Sequence, residues 1–120
     1  MKQNKLIKAY KATETLSHND KLPASTLWGL YNLRKKLFPH WEFQNEREEA
    51  MKKKYTQYAD AEGNIRGEYY TDFVAELTEI AEMDKDIEIG DKMKFTVKDD
   101  IGLTVDMMEA LEDFVEFVFE

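Results

Sequence analysis

From Leu27 to Tyr58 the chain keeps one period. Leu27, Leu30, Leu33 (or Arg34), Leu37, Trp41, Gln44, Glu48, Met51, Tyr55 and Tyr58 follow at near-3.5 spacing, the interval that lines up on one side of an α-helix. A stripe of about thirty residues leaves little choice of fold: a long helix must run through this segment. Pro23 and Ser25 can start it. Pro39 interrupts it, because proline removes a backbone donor and crowds the preceding turn. A kink there, or two abutting helices, is expected. The stripe turns polar at Gln44 and Glu48.

The elements on either side follow from the same reading. Leu6, Ile7, Tyr10, Thr13 and Leu16 recur at helical spacing, with Lys2, Lys5, Lys8 and Lys11 along one flank. Ser17-His18-Asn19-Asp20 stops this first helix by competing for backbone hydrogen bonds. So short a turn predicts an antiparallel helical hairpin with the long helix. Ala59–Glu68 reads as a loop rich in turn formers. A third helix starts near Thr71, with Phe73, Val74, Leu77, Ile80 and Ala81 as its buried stripe. The period then changes to two. Ile87 and Ile89 alternate with Asp86 and Glu88, Gly90-Asp91-Lys92 turns, and Met93, Phe95 and Val97 alternate with Lys94, Thr96 and Lys98. This predicts a short antiparallel β-hairpin packed on a helix. Asp99-Asp100-Ile101-Gly102 reads as a further turn. Thr104 caps a last helix over about 105–118, with Asp106, Glu109, Asp113 and Glu116 opposite its apolar side. The fold class is α+β, mostly helical, and 120 residues make a single domain over 1–120.

Charge is divided along the chain. Residues 1–60 hold 12 Lys+Arg and 7 Asp+Glu, whereas residues 61–120 hold 5 and 18. A net of −8 with pI ≈ 4.8 argues against direct nucleic-acid binding, which needs a basic surface. The split points to internal pairing, self-association or an acidic face for a basic protein partner. The absence of cysteine removes disulfides and thiolate chemistry and fits a reducing compartment. No apolar run approaches a membrane span, and the basic N-terminus lacks the apolar segment of a secretory signal.

Chemical motifs are sparse. There is no Walker-type loop and no Gly-x-Gly-x-x-Gly, and His18 and His40 are the only histidines. His40 beside Pro39 reads as a partly exposed residue at a helix kink. Asp84, Asp86, Glu88 and Asp91 cluster near a turn but lack EF-hand spacing, and Asp86 and Glu88 read as the solvent side of a strand. No catalytic, cofactor-binding or metal-binding residue is assigned, and no cofactor is expected. Lys52-Lys53-Lys54 point around a helix and make no nucleic-acid site. Asp106, Glu109, Asp113 and Glu116 form a candidate partner-contact face; a plainly solvated helix face has the same pattern. Trp28, Phe38, Trp41 and Phe43 cannot all occupy one inner stripe, so they form a candidate aromatic interface or a helix wrapped on two sides.

Read in order, several segments resemble a group of small uncharacterised proteins from phages and prophages of Gram-positive bacteria. They are Lys21-Leu22-Pro23, Leu37-Phe38-Pro39, the charged Glu46–Lys54 stretch, Asp60-Ala61-Glu62-Gly63-Asn64, the Phe73-to-Ile80 helix, Asp86-Ile87-Glu88-Ile89, and Leu103-Thr104 with Met108-Glu109-Ala110-Leu111-Glu112. The resemblance implies a mainly helical fold with a small β element, and a phage or prophage origin. It carries no catalytic residues. The leading expectation is a non-enzymatic protein acting by protein–protein contact, in virion assembly or as an accessory factor, in the cytoplasm of the bacterial host or in the virion. The alternative is an acidic inhibitor of a host nucleic-acid-binding defence protein. A carboxylate–metal enzyme would require a cleft with converging Asp and Glu side chains.

Overall fold

A computed structural model describes residues 1–65, 67–88, 90–98 and 101–120. Its elements are α1 (Gln3–Ser17), α2 (Ala24–Thr56), α3 (Gly67–Glu82), β1 (Met93–Val97), α4 (Val105–Leu111) and β2 (Val115–Phe119). The fold is mostly helical with a small two-stranded sheet.

The α1 stripe is buried as its spacing predicts: Leu6, Ile7, Tyr10, Thr13 and Leu16, joined by Ala9 and Ala12. The Thr13 hydroxyl, buried with them, donates to the Tyr10 carbonyl at 2.6 Å. Leu30, Leu33 and Leu37 of α2 close over this face. Asn19 steadies the intervening turn, its Nδ2 donating to the Ile101 carbonyl at 2.8 Å and its Oδ1 accepting from Lys21 N–H at 3.0 Å.

α2 runs unbroken through Pro39 as one helix of 33 residues, so two abutting helices are not found. At about 1.5 Å per residue it is about 50 Å long, and it sets the longest dimension of the molecule, 53 Å. Only the first half of α2 is sunk in the main core. Beyond it, Met51 and Tyr55 are buried, and Tyr55 meets Phe73 of α3 edge-on at 5.4 Å. The radius of gyration, 17.6 Å, exceeds the roughly 14 Å of a compact chain this size. The accessible surface, 8148 Å², exceeds the compact expectation of about 6,800 Å².

α3 begins at Gly67, four residues before the expected Thr71. Gly67 has φ +56°, a conformation that glycine enters without a steric penalty. Of the predicted stripe, Ile80 is buried, Phe73, Leu77 and Ala81 are half-buried, and Val74 is exposed.

The predicted β-hairpin is corrected. β1 pairs in parallel with β2, in the register Met93↔Val115, Phe95↔Phe117, Val97↔Phe119. Residues 85–88 form no strand, so Asp86 and Glu88 are not its solvent side. The backbone just before them is engaged elsewhere: Lys85 N–H donates to the Met1 carbonyl, Gln3 N–H donates to the Met83 carbonyl, and Lys2 bridges Asp84. Ile89 and the Asp99-Asp100 part of the predicted turn lie outside the described residues. The predicted 105–118 helix is also corrected. α4 ends at Leu111, and the chain enters β2 after a turn in which Phe114 N–H donates to the Leu111 carbonyl at 2.9 Å. The Thr104 cap is as predicted, accepting from Met107 N–H at 3.2 Å. Parallel pairing demands a crossover between the strands, and α4 lies in that connection.

Phe95 is fully buried and packs on Phe117 at 5.4 Å, joining the sheet to the helical core. α2 approaches β1 closely at Gly29. A Cβ there would stand 2.8 Å from Met93 Cε and 3.2 Å from Sδ. Replacing the fully buried Leu37 with alanine is expected to lower stability by about 2–5 kcal/mol in urea unfolding. Val105→Ala, at a position 64% exposed, changes it by less than about 0.5 kcal/mol.

Candidate functional site

The four carboxylates expected on one helix face lie in three settings. Asp106 and Glu109 are exposed on α4, Asp113 is in the turn after it, and Glu116 is on β2. The single acidic face is therefore corrected, because the helix that would have carried it ends at Leu111. Asp113 is engaged: Lys5 Nζ lies 2.5 Å from its Oδ2 and 3.5 Å from Glu112 Oε1. The hydrogen bond to Asp113 raises the Lys5 pKa above its ordinary value.

Other ion pairs also join the basic half of the chain to the acidic half. Lys2 Nζ lies 2.7 Å from Glu82, and Lys54 Nζ lies 2.7 Å from Glu76. The Tyr55 hydroxyl donates to Glu76 at 3.1 Å. The hydrogen bond from Lys54 holds the Glu76 carboxyl below its ordinary pKa, while burial raises the Tyr55 phenol.

The candidate aromatics divide between two surfaces of α2. Phe38 and Trp41 pack with Tyr10 of α1: Tyr10 stacks on Trp41 at 5.3 Å, and Phe38 lies 5.7 Å from Trp41. Phe43 is half-buried, with Lys85 Nζ 4.0 Å from its ring centre. Nearby His40 is half-buried, and burial followed by Lys85 depresses its pKa. Trp28 is different. It is 64% exposed and stacks at 5.4 Å and 20° on Tyr31, itself 43% exposed. The four aromatics thus do not make one interface; Trp28 with Tyr31 makes a separate outward patch. Tyr31 was open to sequence reasoning, since it lies three residues from Trp28 on the outer side of the same helix.

Two further features depend on tertiary placement. Tyr58 and Tyr69 stack at 3.9 Å where α2 and α3 approach the Asp60 turn. An open cleft of about 840 Å³ runs along the contact of α1 with α4, with lysines on one wall, carboxylates on the other and an apolar floor of Ala12, Met107 and Ala110. Among the described residues no group of three or more His, Cys, Asp or Glu is arranged to hold a metal ion. Among them also, no helix is long and apolar enough to cross a membrane.

No protein-family model, no curated protein and no solved structure matches this chain.

The Glu76 contacts set a pH dependence. A carboxyl whose pKa is depressed on folding adds stability above its unfolded value, near pH 4, that is lost as pH falls through the folded value. Urea midpoints at pH 6 and pH 3 are therefore expected to fall less on acidification for Glu76→Gln than for the native chain. An equal fall in both would show that this carboxylate contributes nothing.

Proposed function

We propose that this chain is a non-enzymatic protein of phage or prophage origin that works by protein–protein contact, in virion assembly or as an accessory factor, in the host cytoplasm or in the virion. The observation that carries the reading is the exposed Trp28–Tyr31 pair. Large amphipathic rings held rigid by stacking supply contact area at low entropic cost, and Trp and Tyr dominate the energetics of protein interfaces. The pair sits on a helix whose opposite side is anchored by Leu30, Leu33 and Leu37, so it needs little ordering on binding. In this reading α1 and the first half of α2 act as an antiparallel helical hairpin, a rigid base for the aromatic patch. The excess of surface over a compact chain of this size supports the same reading. For the alternative of an acidic inhibitor imitating nucleic acid, Asp113 is already paired with Lys5, while Asp106, Glu109 and Glu116 are exposed but divided between α4 and β2.

The test is affinity capture from a lysate of phage-bearing Gram-positive host, with the native chain and a Trp28→Ala/Tyr31→Ala variant as baits. A protein held by the native bait should be depleted about tenfold or more on the variant. Equal recovery on both baits, or no specific protein on either, would count against this surface.

A further inference from the structure

The two charged walls of the α1–α4 cleft share a register. Lys5 meets Glu112 at one end. Moving three residues forward on α1 and three back along the chain of α4 reaches Lys8 and Glu109, and then Lys11 and Asp106, all of which line the same cleft. Three rungs of opposite charge are therefore laid out, yet only the first is made. Among the described residues Lys8, Lys11, Glu109 and Asp106 form no ion pair, and all four are exposed. Two lysines of α1 and two carboxylates of α4 thus line one open groove with the apolar Ala12, Met107 and Ala110.

We propose that this cleft docks one α-helix of a partner protein, a helix bearing Asp or Glu along one flank, Lys or Arg along the other, and small or apolar residues on the ridge between. The spacing selects a helix. Each wall repeats every three residues, a step of about 4.5 Å along a helix axis, and another helix offers side chains at that step on two flanks at once. An extended strand repeats on one side at about 6.7 Å and loses register after the first rung. The charges select a partner of both signs, because a ligand of one sign leaves one wall facing its like. The floor selects an apolar ridge, which covers Met107 and the alanines. This inference rests on the reading of the chain as a protein-contact protein. It uses a surface separate from Trp28, so the two fail separately.

The probe is a stapled, alanine-based helical peptide with Glu on one flank and Lys on the other, labelled with fluorescein and titrated with the full chain by fluorescence anisotropy. Peptides carrying only Glu or only Lys at the same positions are the comparison. Saturable binding of the mixed peptide is expected at low salt, weakening as salt is added. Either single-sign peptide should bind about tenfold more weakly or worse. Lys8→Glu with Lys11→Glu, and separately Asp106→Lys with Glu109→Lys, should each weaken the mixed peptide about tenfold, while Trp28→Ala leaves it unchanged. Circular dichroism of each variant checks that these exposed substitutions preserve the fold. The inference is overturned by absence of saturable binding up to about 1 mM, by equal binding of a single-sign peptide, or by indifference to both wall variants. A dimer in sedimentation that the wall variants dissolve assigns the cleft to a second copy and overturns it too. Loss of peptide binding in Trp28→Ala, with the cleft variants silent, would instead move the contact to the aromatic patch.

Discussion

Gln3 is where three helices are held to one another. It is fully buried, although an amide carries strong hydrogen-bonding groups. Its side-chain Nε2 donates to the His40 carbonyl in the middle of α2 at 2.8 Å and to Gln44 Oε1 at 3.3 Å. Its backbone N–H donates to the Met83 carbonyl just past α3 at 2.8 Å. Among the described residues its Oε1 is buried without a partner, so these donated bonds must offset the cost of burying the amide. That requirement fixes where α1 starts relative to the middle of α2 and the end of α3. The rest of α1 then follows by packing: Leu6, Tyr10 and Leu16 join the core with the leucines of α2. The row of lysines on the opposite flank is thereby turned toward α4.

This arrangement was partly legible in the sequence. The buried positions of α1 and the first half of α2 follow from a 3.6-residue period in long segments, where the pattern has many chances to repeat. Gln3 was not legible, because nothing in a polar side chain between Lys2 and Asn4 announces a buried junction. The helix expected over about 105–118 holds only as far as Leu111, for a different reason. Val115, Phe117 and Phe119 alternate as a strand, yet Val115 and Val118 also continue the helical spacing of Val105, Met108 and Leu111. In so short a run both periods fit, and pairing with β1 decides between them. The Ile87 segment has strand-like alternation, but Met1 and Gln3 already occupy the neighbouring backbone groups. Here long-range pairing overrode local pattern.

Charge has a similar history. The opposite signs of the two halves were plain in the sequence, and Lys2, Lys5 and Lys54 do meet Glu82, Asp113 and Glu76 within the chain. Exposed pairs of this kind orient elements more than they stabilise them. What the sequence could not reveal is which charges stay unpaired. That depends on the separation of α1 from α4, and so on contacts by residues far from either charge. The acidic surface is consequently smaller and more broken than a count of carboxylates suggests.

The parallel pairing of β1 with β2 has a consequence for the order of assembly during synthesis. α1 and α2 are joined by a short turn and can collapse on one another while the remainder of the chain is still being made. The contacts that close the structure are distant in sequence: Lys2 with Asp84, Lys5 with Asp113, and β1 with a strand ending at Phe119. Until β2 leaves the ribosome, β1 lacks its neighbour and Phe95 lacks the ring of Phe117. A nascent chain would thus carry a formed helical pair beside an open apolar strand. Burial of Phe95 against Phe117 therefore waits on β2, the later-made partner in the sheet.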